Sequence, residues 1–79
     1  MELKEKIAIK VRTYRVAAGL TQTELADRIG RSHDVISNIE RGLTSPTLEI
    51  LEAISSALDI GLLKLLVSDD FPPRLYGSQ

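Results

Sequence analysis

The chain predicts an all-α domain of five short helices, on three observations. Apolar residues recur at intervals of three and four along residues 3–18, 21–42 and 48–58, which is the period of one helix face. Thr21 followed three residues later by Glu24 is a helix-start pattern in which hydroxyl and carboxylate each satisfy a backbone N–H. Gly19, Gly30 and Pro46 fall where those periods break off, the glycines as left-handed helix ends and the proline as a residue that cannot continue a helix.

The first helix is expected over residues 3–18. Leu3, Ile7, Val11, Tyr14 and Ala18 make its apolar face, while Glu2, Lys6, Lys10 and Thr13 lie off it, and Gly19 ends it. Ile9 and Val16 fall away from that face, as scattered exposed apolar residues commonly do. The second helix is capped by Thr21. Leu20 and Leu25 flank the cap at the positions of a hydrophobic staple, Leu25, Ala26 and Ile29 carry the stripe, and Gly30 ends it. Ser32 is placed to cap the third helix, which turns Val35, Ile36 and Ile39 inward and His33, Asp34, Ser37, Asn38 and Arg41 outward. Ala26 is small where the two helices cross, and Gly30 has no side chain where the chain turns sharply. Two short helices in this arrangement make a helix-turn-helix.

Pro46 closes the loop that follows. Thr47 is the preferred cap of the fourth helix, and Ser45 with Pro46 at the first helical position is the alternative. Leu48, Leu51, Ile54, Ala57 and Leu58 give that helix its core face, with Glu49 and Glu52 toward solvent. Asp59-Ile60-Gly61 leads to a fifth helix, Leu62 to Val67, apolar nearly all round except for Lys64. One face suffices for the core, so Leu63 and Val67 are surplus and point to a second interface. Residues 1–67 therefore form the domain. Residues 68–79, with Phe71, Leu75 and Tyr76, form a tail that is either extended or packed on the fifth helix of its own or a partner subunit.

Composition excludes several function classes. Seventy-nine residues make one small domain, near the lower size at which an unassisted core holds. There is no cysteine, hence no disulfide framework or thiolate metal site, which suits a cytoplasmic protein. No stretch approaches the roughly 20 apolar residues needed to cross a bilayer, and MELKEKIAIK mixes charges too early for a signal peptide. His33 is the only histidine, and without a carboxylate cluster it makes no metal site. No nucleophile–base pair, phosphate loop or ligand cluster is present, so neither an enzyme nor a cofactor is expected. The net charge is −1, but residues 1–41 hold eight basic against six acidic side chains, and residues 42–79 hold two against five. A nucleic-acid partner would thus be attracted only modestly without specific contacts, leaving affinity to those contacts and to the use of two copies.

Thr21, Gln22, Glu24, Leu25, Ala26, Gly30, Ser32, Ile36, Ile39, Glu40, Arg41 and Gly42 match the pattern TQxELA–G–S–I–xIERG. The segment resembles the phage-repressor and Cro-like helix-turn-helix family, also called the Xre family, and the likeness continues through SPTLEIL and LLKLL. The resemblance implies a compact five-helix, lambda-repressor-like DNA-binding domain with the motif in helices 2 and 3. It implies that Arg15 pairs with Glu40, in preference to a role directed only at a phosphate, and that Gln22 bridges the DNA backbone and the recognition helix. It also implies a two-fold dimer through the C-terminal region, for which Leu63, Val67, Phe71, Leu75 and Tyr76 are the candidates, and a palindromic site. The chain departs from the family where a glycine often stands at Asp59 and a serine-like cap at Gly61, so both helix ends there are less well specified.

The second helix of such a motif enters the major groove with its N-terminal part foremost, which directs Ser32, His33, Asp34, Ser37 and Asn38 toward base edges. Asn38 suits a bidentate contact to adenine, against the plainer reading of a hydrated surface amide. Asp34 either accepts from a cytosine amino group, orients Arg31 or His33, or simply favours the helix start. His33 is expected at a base or a phosphate, more strongly in its charged form. Gln22 and Thr23 at one helix start, and Thr44, Ser45 and Thr47 at another, are placed for phosphates, as are Arg31 and Arg41. These residues read as a transcriptional regulator, a repressor above all, that occupies a palindromic operator on double-stranded DNA as a homodimer. The rival reading is a protein-interaction module such as an antitoxin, for whose protein partner the acidic C-terminal half and apolar tail leave room.

Overall fold

The computed structural model describes residues 2–66. Five helices follow one another: α1 (Leu3–Ala17), α2 (Gln22–Ile29), α3 (His33–Glu40), α4 (Leu48–Ala57) and α5 (Leu62–Leu66), and no strand occurs among the described residues. Helix α1 packs on α3 and α5, α2 on α3 and α4, and α4 on α5. The core between them holds Ile7 and Val11 of α1, Leu25 and Ala26 of α2, Ile36 and Ile39 of α3, Leu51, Ile54 and Leu58 from the α4 region, and Leu65. Burying each of the larger side chains stabilises the fold by about 1.5–3 kcal/mol, and α3 contributes Ile36 and Ile39 to that core.

The helix starts obey the local rules. The Thr21 hydroxyl accepts from the Glu24 N–H at 3.0 Å while the Glu24 carboxylate accepts from the Thr21 N–H at 2.8 Å. Thr47 caps α4 by accepting from the Ile50 N–H at 3.2 Å, which decides between the two caps the sequence left open. Ser32 stands at the N-cap position of α3, but its hydroxyl makes no capping bond, and only its carbonyl accepts, from the Val35 N–H at 3.1 Å.

Four helix ends close in one way. At each, the N–H of a left-handed residue bonds back three residues and the next N–H bonds back five, which satisfies carbonyls that the helix leaves open. The pairs are Gly19 to Val16 with Leu20 to Arg15, Gly30 to Asp27 with Arg31 to Ala26, Gly42 to Ile39 with Leu43 to Asn38, and Asp59 to Ser56 with Ile60 to Ser55. Asp59 takes this conformation at φ 58° without being glycine, because a short polar side chain tolerates it better than most. The α4 end expected to be weakly specified is therefore closed like the others. At Gly30, φ is 71° and a Cβ would meet nothing within 4 Å, so the position needs glycine for its backbone and not for space.

Packing revises the predicted faces of α1 and α4. Leu3 and Leu48 are 59% and 65% exposed, since each begins its helix and the core starts one turn later, at Ile7 and Leu51. Ala18 lies past the end of α1 as its C-cap, and is exposed. Lys10, expected off the apolar face, is buried together with Ala8, so the buried arc of α1 is wider than one stripe. Ile9 and Val16 are exposed. Helix α5 is described as far as Leu66, and the predicted last residue, Val67, lies outside the described residues.

Candidate nucleic-acid interface

Helix α3 has two sides of opposite character. Ile36 and Ile39 are buried and Val35 packs against the core, while Ser32, His33 and Asp34 are exposed and Ser37 and Asn38 half-buried. The helical period alone produces this division, because residues 33, 34, 37, 38 and 41 share the side opposite 36 and 39. The His33 Nδ1 lies 3.6 Å from a carboxylate oxygen of Asp34, with side chains 50% and 89% exposed. That spacing is an electrostatic contact, too long for a hydrogen bond, so both groups keep their bonding capacity for a partner. The Ser32 hydroxyl, released from capping, is equally uncommitted.

The far end of α3 is tied down. Glu40 is an acid in the last turn, where the helix dipole disfavours negative charge. Arg15 offsets it, with Nε donating to one carboxylate oxygen at 2.7 Å and a terminal nitrogen to the other at 3.0 Å. The remaining terminal nitrogen of Arg15 donates to the Leu20 carbonyl at 2.7 Å, and the Gln22 amide donates to Glu40 at 3.0 Å. The side chains of Arg15 and Glu40 are only 11% and 2% exposed, so these are charge-assisted bonds in a dry setting. Three helices thus meet at Glu40: α1 through Arg15, α2 through Gln22, and α3 itself.

Around this frame Thr23, Arg31, Arg41, Thr44, Ser45 and Thr47 are exposed, and Gln22 is half-buried. The turn of Arg31 follows α2 directly, and Arg41 is the C-cap of α3, so the two arginines bracket the helix. Leu63 is 69% exposed on α5, whereas Val67, Phe71, Leu75 and Tyr76 lie outside the described residues. Among the described residues no cluster of three or more histidine or acidic side chains is grouped to hold a metal ion. No described helix is long and apolar enough to cross a membrane. The resemblance implied that Gln22 reaches the recognition helix without naming the bond from Gln22 to Glu40, and sequence reading missed the bond from Arg15 to the Leu20 carbonyl. The first joins residues eighteen apart, and no local pattern announces it.

The chain is similar in sequence and fold to known proteins. The profile of the family described as "Helix-turn-helix" matches residues 11–65. The chain is 35% identical over 65 residues to the HTH-type transcriptional regulator SinR of Bacillus licheniformis, covering 81% of this chain and 59% of that protein. It is 30% identical over 73 residues to the uncharacterized HTH-type transcriptional regulator y4dJ of Sinorhizobium fredii, covering 92% of this chain and 95% of that one. Among solved structures, the hypothetical transcription factor NHTF from Neisseria superimposes with a TM-score of 0.85 at 28% identity, over 94% of this chain and 85% of that one. The chain spans somewhat more than half the length of the SinR regulators it matches.

Proposed function

This chain belongs to the helix-turn-helix family of DNA-binding transcriptional regulators, and from that premise we propose that it occupies a palindromic operator as a homodimer and represses. The observation that carries the reading is the division of α3: its back is core, and its front offers Ser32, His33, Asp34, Ser37 and Asn38 with no bonding commitment to the rest of the domain. An α-helix fits the major groove, where each base pair presents a distinct set of donors, acceptors and methyl groups. Asn38 is assigned to an adenine edge, and Ser32, His33, Asp34 and Ser37 to neighbouring base edges. Arg31, Arg41, Gln22 and Thr23, with Thr44, Ser45 and Thr47 on the α3–α4 loop, are assigned to phosphates on either side, which set register without reading sequence.

Two copies follow from energetics. With a net charge of −1 the domain gains little from phosphates alone, and one short helix reads few base pairs. Pairing through α5, where Leu63 stands exposed, would join two reading heads and match an inverted repeat. An operator so occupied is closed to other proteins, hence repression. The test is selection of bound fragments from random duplex DNA in about 100 mM salt, where non-specific binding is suppressed. Enrichment of an inverted repeat with half-sites about one helical turn apart supports the reading. A folded protein that enriches nothing sinks it and directs the search to a protein partner.

A further inference from the structure

Lys10 in the middle of α1 is only 1% exposed, less than Ile7 one turn before it. Lysine ordinarily buries its methylene stem and keeps the ammonium in water, but here the whole side chain is inside. A buried ammonium is stable only where an anion faces it, and Lys10 has a partner. No acid of α1 stands at a neighbouring helical position, since those places hold Lys6, Ile7, Thr13 and Tyr14. Of the helices packed on α1, α5 carries no acid, and on α3 Glu40 is engaged by Arg15 and Gln22 while Asp34 is 89% exposed beside His33. The remaining acids among the described residues are exposed, and a carboxylate in open water does not compensate a charge shut away from it. The chain's other acids are Asp69 and Asp70. They follow Leu66 by three and four positions, a reach of up to about 14 Å from the end of a helix that packs on α1.

We propose that Lys10 is the docking anchor for the segment that follows α5: the acidic pair Asp69 and Asp70 supplies its counter-charge and holds that segment against α1. The occupant is the chain's own segment and not a second copy's, because Lys10 is buried within a single chain. Val67 and Phe71 flank the two acids in sequence and are the apolar residues suited to cover the lysine stem. The folded domain then extends past residue 67, and a charge inside α1 selects where its C-terminal segment lies. This anchor is independent of how the domain reads DNA.

The experiment is a double-mutant cycle on the full chain, read by thermal melting. Asp69→Asn with Asp70→Asn removes the counter-charge, and Lys10→Met removes the charge that needs it while keeping an unbranched apolar stem. The asparagine pair is expected to lower the melting temperature by more than about 5 °C in the wild-type background, where it leaves the ammonium buried alone, and by less than about 1 °C in the Lys10→Met background. Lys10→Met by itself is expected to cost less than the asparagine pair, since the released carboxylates can turn to water. Equal losses in the two backgrounds, or an asparagine pair that is silent in the wild type, overturn the proposal. A second measurement does not depend on any variant folding: nuclear Overhauser contacts between the Lys10 methylenes and residues 67–71, recorded on a mixture of isotope-labelled and unlabelled wild-type chains. Contacts within the labelled chain uphold the anchor. Contacts only between chains, which would assign the segment to a partner subunit, or no contacts at all, overturn it.

Discussion

Arg15 in α1 and Glu40 in the last turn of α3 grip each other through two side-by-side hydrogen bonds of 2.7 and 3.0 Å, across twenty-five residues of chain. The pair is nearly dry, so removing one partner leaves the other's charge buried without compensation. Arg15→Ala should destabilise the domain by about 3–5 kcal/mol, seen as a fall in melting temperature of more than about 10 °C. A fall of only a degree or two would show that water replaces the lost partner and that the pair is not structural.

Two hydroxyls at N-cap positions should behave differently. Thr21 caps α2 by accepting from Glu24, so Thr21→Ala should cost about 1 kcal/mol in denaturant unfolding. Ser32 holds the same position before α3 without a capping bond. Ser32→Ala should therefore leave stability within about 0.5 kcal/mol and register instead as weaker operator binding. Equal losses of stability at the two sites would contradict the difference.

The left-handed helix ends make a pair of opposite predictions. Gly30→Ala places a side chain at φ 71° and should destabilise by about 1–2 kcal/mol, although nothing crowds the new methyl. Asp59→Gly relieves the one non-glycine in that conformation among the described residues and should raise stability by up to about 1 kcal/mol. Equilibrium unfolding in urea reads both signs.

On DNA, Asn38 and Arg41 should separate by kind of effect. Asn38→Ala is expected to relax preference at a single base position, losing about 1–3 kcal/mol of discrimination there. Arg41→Ala should weaken all sequences alike and reduce the slope of log affinity against log salt by about one. Titrations of the operator and its single-base variants at three salt concentrations distinguish the two patterns. A base-specific loss on removing Arg41 would place it in the groove and not on the backbone.

Much of this was legible because helix boundaries are local chemistry. The Thr21–Glu24 box, the left-handed glycines at positions 19 and 30, and the cap at Thr47 each act within five residues, so the chain announces them wherever it is packed. The helical period, read together with the N-cap position of Ser32, likewise divides α3 into a core side and an outer side, and the TQxELA and ERG residues mark the family.

What a helix packs against is not local, and there the tertiary structure decided. Lys10 is buried although its spacing puts it off the apolar stripe, and Leu3 and Leu48 are exposed because the core begins a turn beyond them. Neither fact is written in the spacing of their own helices. The Ser32 hydroxyl is left free by a geometry that its residue type would not suggest. Resemblance suggested that Arg15 would meet Glu40, but that Gln22 and the Leu20 carbonyl share the network depends on where three helices bring their ends. By itself, then, the sequence determined which segments are helical and which side of α3 faces outward. Only the packing of α1, α2 and α3 around Glu40 decided how rigidly that side is held, because an interaction between residues eighteen or more apart exists only once the chain between them has folded.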